Sequence, residues 1–335
     1  GMKRLFLSGM AMCALLTSCY SEIDFGELMP EPRPVVNAIA SPDTVVIASI
    51  SRTYSIDENV DDLFIKNADV LLTVNGSHHE QMTMVEYNDT TDRYEPQQVV
   101  AYVSTYRPQP GDRIEITAST PLGEARCSDV VPHPVEITGV ETTLTLNSNG
   151  SIVWDDDGSY IATTYDATYH VQFHDPAGVD NYYLVNVSSD YYLYSSGIYI
   201  DYIDPLFEMQ NQDITNIGSD NLLRNGWGWT FSDDGIDGMD YSLSLREEGM
   251  TLGNQESQPQ LRHRRIRLYS ISENYYKYLR SLLKDEQRDE SALGDIGILE
   301  PVTIFSNIEG GTGIFGSACV SECEFYINRE EVGNE

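Results

Sequence analysis

Basic residues are scarce in this chain: 20 Lys and Arg stand against 53 Asp and Glu in 335 residues, a formal net charge of −33. A surface of that sign repels nucleic-acid phosphates and anionic lipid headgroups, so no nucleic-acid partner is expected and cationic partners are favoured. The bland alternative is that acidity only keeps the chain soluble. Cysteine is sparse at five, and the six histidines are scattered apart from His78-His79, so no zinc site is expected. Catalytic signatures are missing too. Neither G-x-S-x-G nor H-E-x-x-H occurs, which removes the usual marks of a serine hydrolase and a zinc protease. So many acids make paired carboxylates of the glycosidase kind uninformative. The expectation is a protein that is not an enzyme and has no resident cofactor. Long apolar runs are lacking as well: Leu5 to Leu16 falls short of the about 20 residues a membrane-crossing helix needs.

That short apolar stretch follows Met2-Lys3-Arg4 and precedes Leu16-Thr17-Ser18-Cys19. Together these read as a secretory signal over residues 1 to 18. Leu-Thr-Ser-Cys resembles a bacterial lipobox, in which the thiol is lipidated and the chain is cut just before it, although Gly or Ala is more usual where Ser18 stands. Two or more acyl chains on Cys19 would anchor the protein durably to a membrane. The expected location is the outer membrane, lipid-anchored, at the cell surface. Cutting there removes Lys3 and Arg4, leaving 18 basic residues against 53 acidic, a net −35. Residues 19 to 34, acidic and then punctuated by prolines, read as a tether that reaches roughly 50 Å when extended. Its acidic start resembles the surface-export signal of Bacteroidetes lipoproteins. Three cysteines remain: Cys127, Cys319 and Cys323. One of the last two could pair with Cys127, but buried inert thiols are the better reading.

From Val35 onward, short β-branched and aromatic segments alternate with turn signals. Val45 to Ile50, Ala68 to Val74 before Asn75-Gly76, Gln98 to Val103, and Arg113 to Ala118 after Pro110-Gly111-Asp112 are the clearest strands. Pro132 and Pro134 mark a boundary. Val135 to Leu146, Ser151 to Trp154, Tyr169 to Phe173 and Tyr182 to Val187 continue the pattern. Residues 190 to 260 have weak periodicity and read as a long excursion from the core. One helix stands out over about 271 to 288. Ser270 with Glu273 fits a capping box, and Tyr275, Tyr278, Leu279, Leu282 and Leu283 form its apolar stripe. The reading is all-β: two tandem immunoglobulin- or fibronectin-III-like β-sandwich domains, 35–133 and 134–335. The second is elaborated by the helix and the long loop insertion.

Val35-Val36-Asn37-Ala38, the run from Asp175-Pro176 to Asn181-Tyr182-Tyr183, Leu268-Tyr269-Ser270-Ile271, and Ser306 to Gly316 resemble the DUF4249 lipoproteins of Bacteroidetes. The resemblance covers nearly the whole mature chain and is most specific in its C-terminal segment. It implies an envelope lipoprotein of unknown biochemical activity, often encoded beside TonB-dependent outer-membrane receptors, and it brings no catalytic residues.

Candidate sites are few. Tyr191, Tyr192, Tyr194, Tyr199 and Tyr202, with Trp227 and Trp229, could form an amphipathic platform for a glycan or peptide ligand; the alternative is that such aromatics fill a sheet core. Asp233, Asp234, Asp237 and Asp240, interleaved with two glycines, could wrap oxygen ligands around a structural Ca²⁺, against the plainer reading of a solvated acidic turn. Gly311-Thr312-Gly313-Ile314-Phe315-Gly316 satisfies G-x-G-x-x-G, but β-like sequence follows, so it reads as a turn between strands and not a dinucleotide site. Arg262 to Arg267 is the one basic cluster and reads as neutralising nearby carboxylates. The function expected is a non-catalytic binding or accessory component of a TonB-dependent uptake system. A cell-surface glycan-processing enzyme and a structural or adhesive envelope protein are the rival readings.

Overall fold

The computed structural model describes residues 31–54, 58, 63–89, 97–155, 158–189, 200–201, 203–210, 228–251, 261–289 and 303–328. Cys19, Tyr191, Tyr192, Tyr194, Tyr199, Tyr202 and Trp227 lie outside the described residues.

The fold is all-β. In chain order the N-terminal half supplies β1 (Pro34–Ala40), β2 (Ile47–Arg52), β3 (Asp69–Val74), β4 (His78–Gln81), β5 (Thr83–Asp89), β6 (Gln97–Val103), β7 (Arg113–Thr120) and β8 (Gly123–Val130). The second half supplies β9 (Ile137–Asp155), β10 (Gly158–His174), β11 (Tyr182–Ser188), β12 (Ile200–Asp201), a short helix α1 (Pro205–Met209), β13 (Trp229–Ser232), β14 (Asp240–Thr251), β15 (Leu261–Ile271), the helix α2 (Glu273–Asp289) and β16 (Thr312–Asn328). Asn75 and Gly76 both take positive φ, 52° and 69°, as a tight hairpin between β3 and β4 requires.

The strands form one eight-stranded sheet, in the order β13-β11-β15-β16-β1-β2-β6-β5, and two four-stranded sheets, β4-β3-β7-β8 and β12-β14-β10-β9. This arrangement corrects the tandem reading. β1 leaves the N-terminal half to pair in parallel with β16, Val35 opposite Thr312 through Ala40 opposite Ser317, so the two halves share a sheet. Two cores result. In the first, Val36, Ala38, Ile50, Leu72 and Ile116 pack with Phe315 and Cys319 of β16. In the second, Tyr169, Phe173, Tyr183, Leu243, Leu245 and Leu268 pack with Ile327, the far end of the same strand. Alternation sends the even-numbered Ile314 and Ala318 to the opposite face, where Tyr275 and Leu279 of α2 cover them. Each such fully buried side chain contributes about 1.5–3 kcal/mol.

Two further expectations are corrected. The stretch from 190 to 260 is not an excursion throughout: β13 and β14 lie within it and place Trp229, Phe231, Leu243 and Leu245 in the second core. On β14 the inward leucines Leu243 and Leu245 are set among serines and followed inward by the charged Glu247 before Met250, too brief an apolar alternation to stand out. The helix cap is Ser272 and not Ser270. Ser272 Oγ accepts the N–H of Tyr275 at 3.3 Å and of Ser317 at 3.1 Å, while Ser270 still belongs to β15. The glycine-rich motif opens β16 itself. A Cβ on Gly313 would lie 2.2 Å from the Val36 carbonyl oxygen, and one on Gly316 would lie 2.6 Å from Cβ of Tyr275, so both glycines admit a close neighbour.

Inside the second core, Arg264 and Glu247 form a bidentate pair, Nε to Oε2 at 2.8 Å and NH2 to Oε1 at 2.6 Å, and the Tyr169 hydroxyl donates to Oε2 at 2.5 Å. Both side chains are almost fully buried. Glu247→Ala strands the guanidinium and is expected to cost about 3–5 kcal/mol in urea unfolding, whereas Glu247→Leu with Arg264→Met should restore most of it.

Candidate binding cleft and acidic corner

A cleft of about 360 Å³ opens where β7 and β8 meet the first turn of α2 and the segment 307–309. Outward alternation on β7 and β8 delivers Glu115, Thr117, Arg126 and Ser128 to it; Asn274 closes it from α2, and Glu309 from the turn before β16. The turn is fastened at several points. Arg126 and Glu309 exchange backbone hydrogen bonds of 2.9 and 2.8 Å. The Asn307 amide donates to the Phe315 carbonyl at 2.8 Å and accepts its N–H at 2.9 Å. Gly310, at φ +74°, sits against β8 so closely that a Cβ would meet the Glu124 carbonyl oxygen at 2.2 Å. Asn307 and Glu309, from the Ser306-to-Gly316 segment, are thus a wall of the cleft.

The charges there are soft. Glu115 pairs with Arg113 at 3.1 Å and Arg126 with Glu124 at 2.6 Å, both exposed and individually weak, so a ligand can compete for them. Beneath the rim is the Cys127 thiol, which donates to the Ile116 carbonyl at 3.8 Å and is pushed up to about 12, chiefly by burial. Cys127, Cys319 and Cys323 are all free thiols. Cys319 donates to the Pro132 carbonyl at 3.0 Å.

The acidic stretch divides. Asp233 and Asp237 converge with Asp175, carboxylate oxygens of all three lying within 4.8 Å of one another. Asp234 and Asp240 do not join them: Asp234 accepts the Ser232 hydroxyl at 3.0 Å, and Asp240 pairs with His174 at 2.8 Å on the surface. Of the proposed four Ca²⁺ ligands, two are brought together. The third member, Asp175, comes from the loop before β11, and only the hairpin-like approach of the loop and turn reveals it. Each carboxylate already serves the fold. Asp175 accepts the Tyr183 hydroxyl and the Gly238 N–H, Asp233 the Asn181 N–H at 2.7 Å, and Asp237 the Gly178 N–H at 2.7 Å. Burial raises the pKa of Asp233, with the Asp175 charge adding to it. Burial and the bond to Asp175 push the Tyr183 hydroxyl far up.

Trp229 is buried against Phe207, ring centroids 5.2 Å apart, so it fills the core and offers no ligand platform. The basic run is neutralised within the fold. Arg265 pairs with Glu324 and with Glu322 at 3.5 Å, and Arg267 with Glu322 at 2.6 Å across the β15–β16 ladder. His170 Nδ1 lies 3.2 Å from Ser244 Oγ, but Asp204 accepts the Ser244 backbone N–H at 2.9 Å and makes no bond to the imidazole, so the order of a serine triad is not assembled there. No helix among the described residues is long and apolar enough to cross a membrane.

Fold and cleft together define an all-β protein of two sandwich-like packs built on one shared sheet, with a polar groove at their seam. The DUF4249 family, described as a domain of unknown function, matches residues 21–324, and the chain belongs to it. No curated protein matches the chain.

Asp175→Ala strips a partner from the fully buried Tyr183 hydroxyl and from the Gly238 N–H, and should lose about 2–3 kcal/mol in urea unfolding. Hydrogen bonds alone account for the corner, so EDTA is expected to leave the wild-type melting midpoint in place; a lowered midpoint would show that the three carboxylates hold a cation.

Proposed function

We propose that the protein is a lipid-anchored surface component that binds a ligand without converting it, as an accessory to a TonB-dependent uptake system. The observation that carries the binding part is the seam cleft. It sets a guanidinium, two carboxylates, two hydroxyls and two carboxamides around a space at the lower end of the ~300–1,000 Å³ usual for small-molecule sites. Mixed donors and acceptors of this kind suit a short glycan or a peptide segment, which offers hydroxyls or amides on several sides. The membrane part is supported by Leu16-Thr17-Ser18-Cys19, placed after a basic and apolar leader. The uptake part is supported by family resemblance, and the acidic surface leaves room for cationic partners.

Capture from solubilised membranes by the tagged, lipidated protein tests this reading. The expected result is recovery of an outer-membrane receptor, with glycan or peptide binding that Thr117→Trp weakens at least about tenfold by filling the cleft. Cys19→Ser should release the protein from the membrane fraction. Recovery of no receptor, and binding of neither glycan nor peptide, would remove the proposal's support.

A further inference from the structure

β9 forms one margin of the β12-β14-β10-β9 sheet, and no described strand pairs with its outer side. An open edge presents unpaired N–H and C=O groups at every second residue, and proteins ordinarily blunt it with brevity, charge, proline or a bulge. The other margins among the described residues are treated in this way. β4, β12 and β13 are at most four residues long. β5 carries Glu86 and Asp89, and β8 is covered by the backbone exchange between Arg126 and Glu309. β9 has none of these devices along its middle. It is 19 residues long and lacks proline and lysine. From Ile137 to Trp154 it has one charge, Glu141, in a chain of which 22 % is charged. It follows β10 without a register shift from Gly139 to Asn147. Glu141 does not guard the edge either, because its carboxylate accepts the amide of Gln172, on β10, at 3.1 Å.

The inner face of β9 leaves the second core open along this margin. Val140 and Leu144 reach that core but are only partly buried, and Leu146 is 57 % exposed although Tyr165, opposite it on β10, is buried. We propose that a second copy of this chain closes the margin: two β9 strands pair antiparallel about a two-fold axis at Thr143, joining two four-stranded sheets into one of eight. Thr143 is the centre of the unshifted run, so an axis there sets the run against itself. Val140 then faces Leu146 of the second copy, Thr142 faces Leu144, Glu141 faces Thr145, and Thr143 faces its own counterpart. An axis of this kind stands perpendicular to the sheet and keeps the two inner faces on one side, so Val140 covers the exposed Leu146. The one carboxylate never meets its own copy, and threonines meet at the centre, where their hydroxyls can bond. A strand from an unrelated chain would gain the same backbone bonds, but this match of the run to its own reverse favours a second copy. Opposition comes from the net charge of −33 on each chain. With one strand ladder to overcome it, the dimer is weak and is strengthened by salt.

Sedimentation velocity of the purified full chain at raised salt, from about 1 to 100 μM, should show monomer and dimer in equilibrium. Thr143→Lys and Thr143→Glu shift the net charge in opposite directions, yet each sets like charges face to face on the axis. Both should therefore weaken the dimer about fivefold or more. Thr143 is exposed on the outer face, so neither substitution disturbs the core of the monomer. Oxidative cross-linking reads the register. Cα atoms facing each other across an antiparallel ladder lie about 4.5–5.5 Å apart, within disulfide reach, so Thr143→Cys should couple to its copy. Thr145→Cys should not, because an offset of four residues puts it about 14 Å from its own counterpart. Wild type, with Cys127 and Cys319 buried and Cys323 half-buried, is the blank. A monomer at every concentration, a dimer that tolerates both charged substitutions, or equal cross-linking through Thr143→Cys and Thr145→Cys would overturn the proposal. None of these measurements uses a ligand or a receptor, so they stand apart from the uptake reading.

Discussion

The parallel ladder between β1 and β16 closes the molecule, because it joins the first described strand to the last. Parallel neighbours need a crossover connection, and here the crossover is nearly the entire described chain. β16 can serve this way because it is 17 residues long and apolar on both faces along part of its length. Its odd-numbered residues enter first one core and then the other, and its even-numbered residues seat the helix. Glycine makes the ladder sterically feasible. At Gly313, φ is +103° and the Val36 carbonyl occupies the place of a side chain. Neither half is therefore a complete sandwich: the first core lacks Phe315 and Cys319 until the end of the chain arrives.

Local strand identity was legible, and sheet membership was not. Gln97–Val103 and Arg113–Thr120 follow the alternation of their residues almost to the boundary, because alternation reports one face in and one face out. Nothing local shows that Val36 meets Gly313, since a parallel pair leaves no turn between its members. The same blindness hid Asp175 from Asp233, which lie on separate loops. The glycines from Gly311 to Gly316 were noticed for a phosphate-binding pattern, yet their physical reason is close approach to β1 and to Tyr275. The aromatic excursion was legible only as composition, and of its tryptophans the described one, Trp229, went to the core.

Charge is arranged in two ways that the overall acidity conceals. On the outer face of β15, Arg265 and Arg267 sit in register with Glu324 and Glu322, so the one basic run is consumed by its neighbouring strand and leaves little positive patch for a partner. On the inner face Arg264 is turned toward Glu247 between the sheets. A pair so placed contributes little net stability, because desolvation offsets the attraction. It does penalise any register of β15 that would leave either charge unmatched. One residue of slip would exchange Arg264 for Arg265 in the core and send Ile266 and Leu268 outward, so charge and hydrophobicity enforce the same register.

The connector between the cores shows how the two halves are stitched along the seam. Beyond Val131 the chain does not run free: Cys319 donates to the Pro132 carbonyl, Ser270 accepts the Val135 N–H at 3.1 Å, and Ser321 accepts the Ile137 N–H at 2.9 Å. Pro132 and Pro134 lack an N–H, so this stretch cannot extend a sheet ladder, and hydroxyls and a thiol from β15 and β16 take over the fastening. Asp129 is the last inward polar residue of β8 before this stitched segment. A shift of β8 relative to β16 must either strain the stitches or be absorbed at the cleft, where the exposed pairs at the rim are weak.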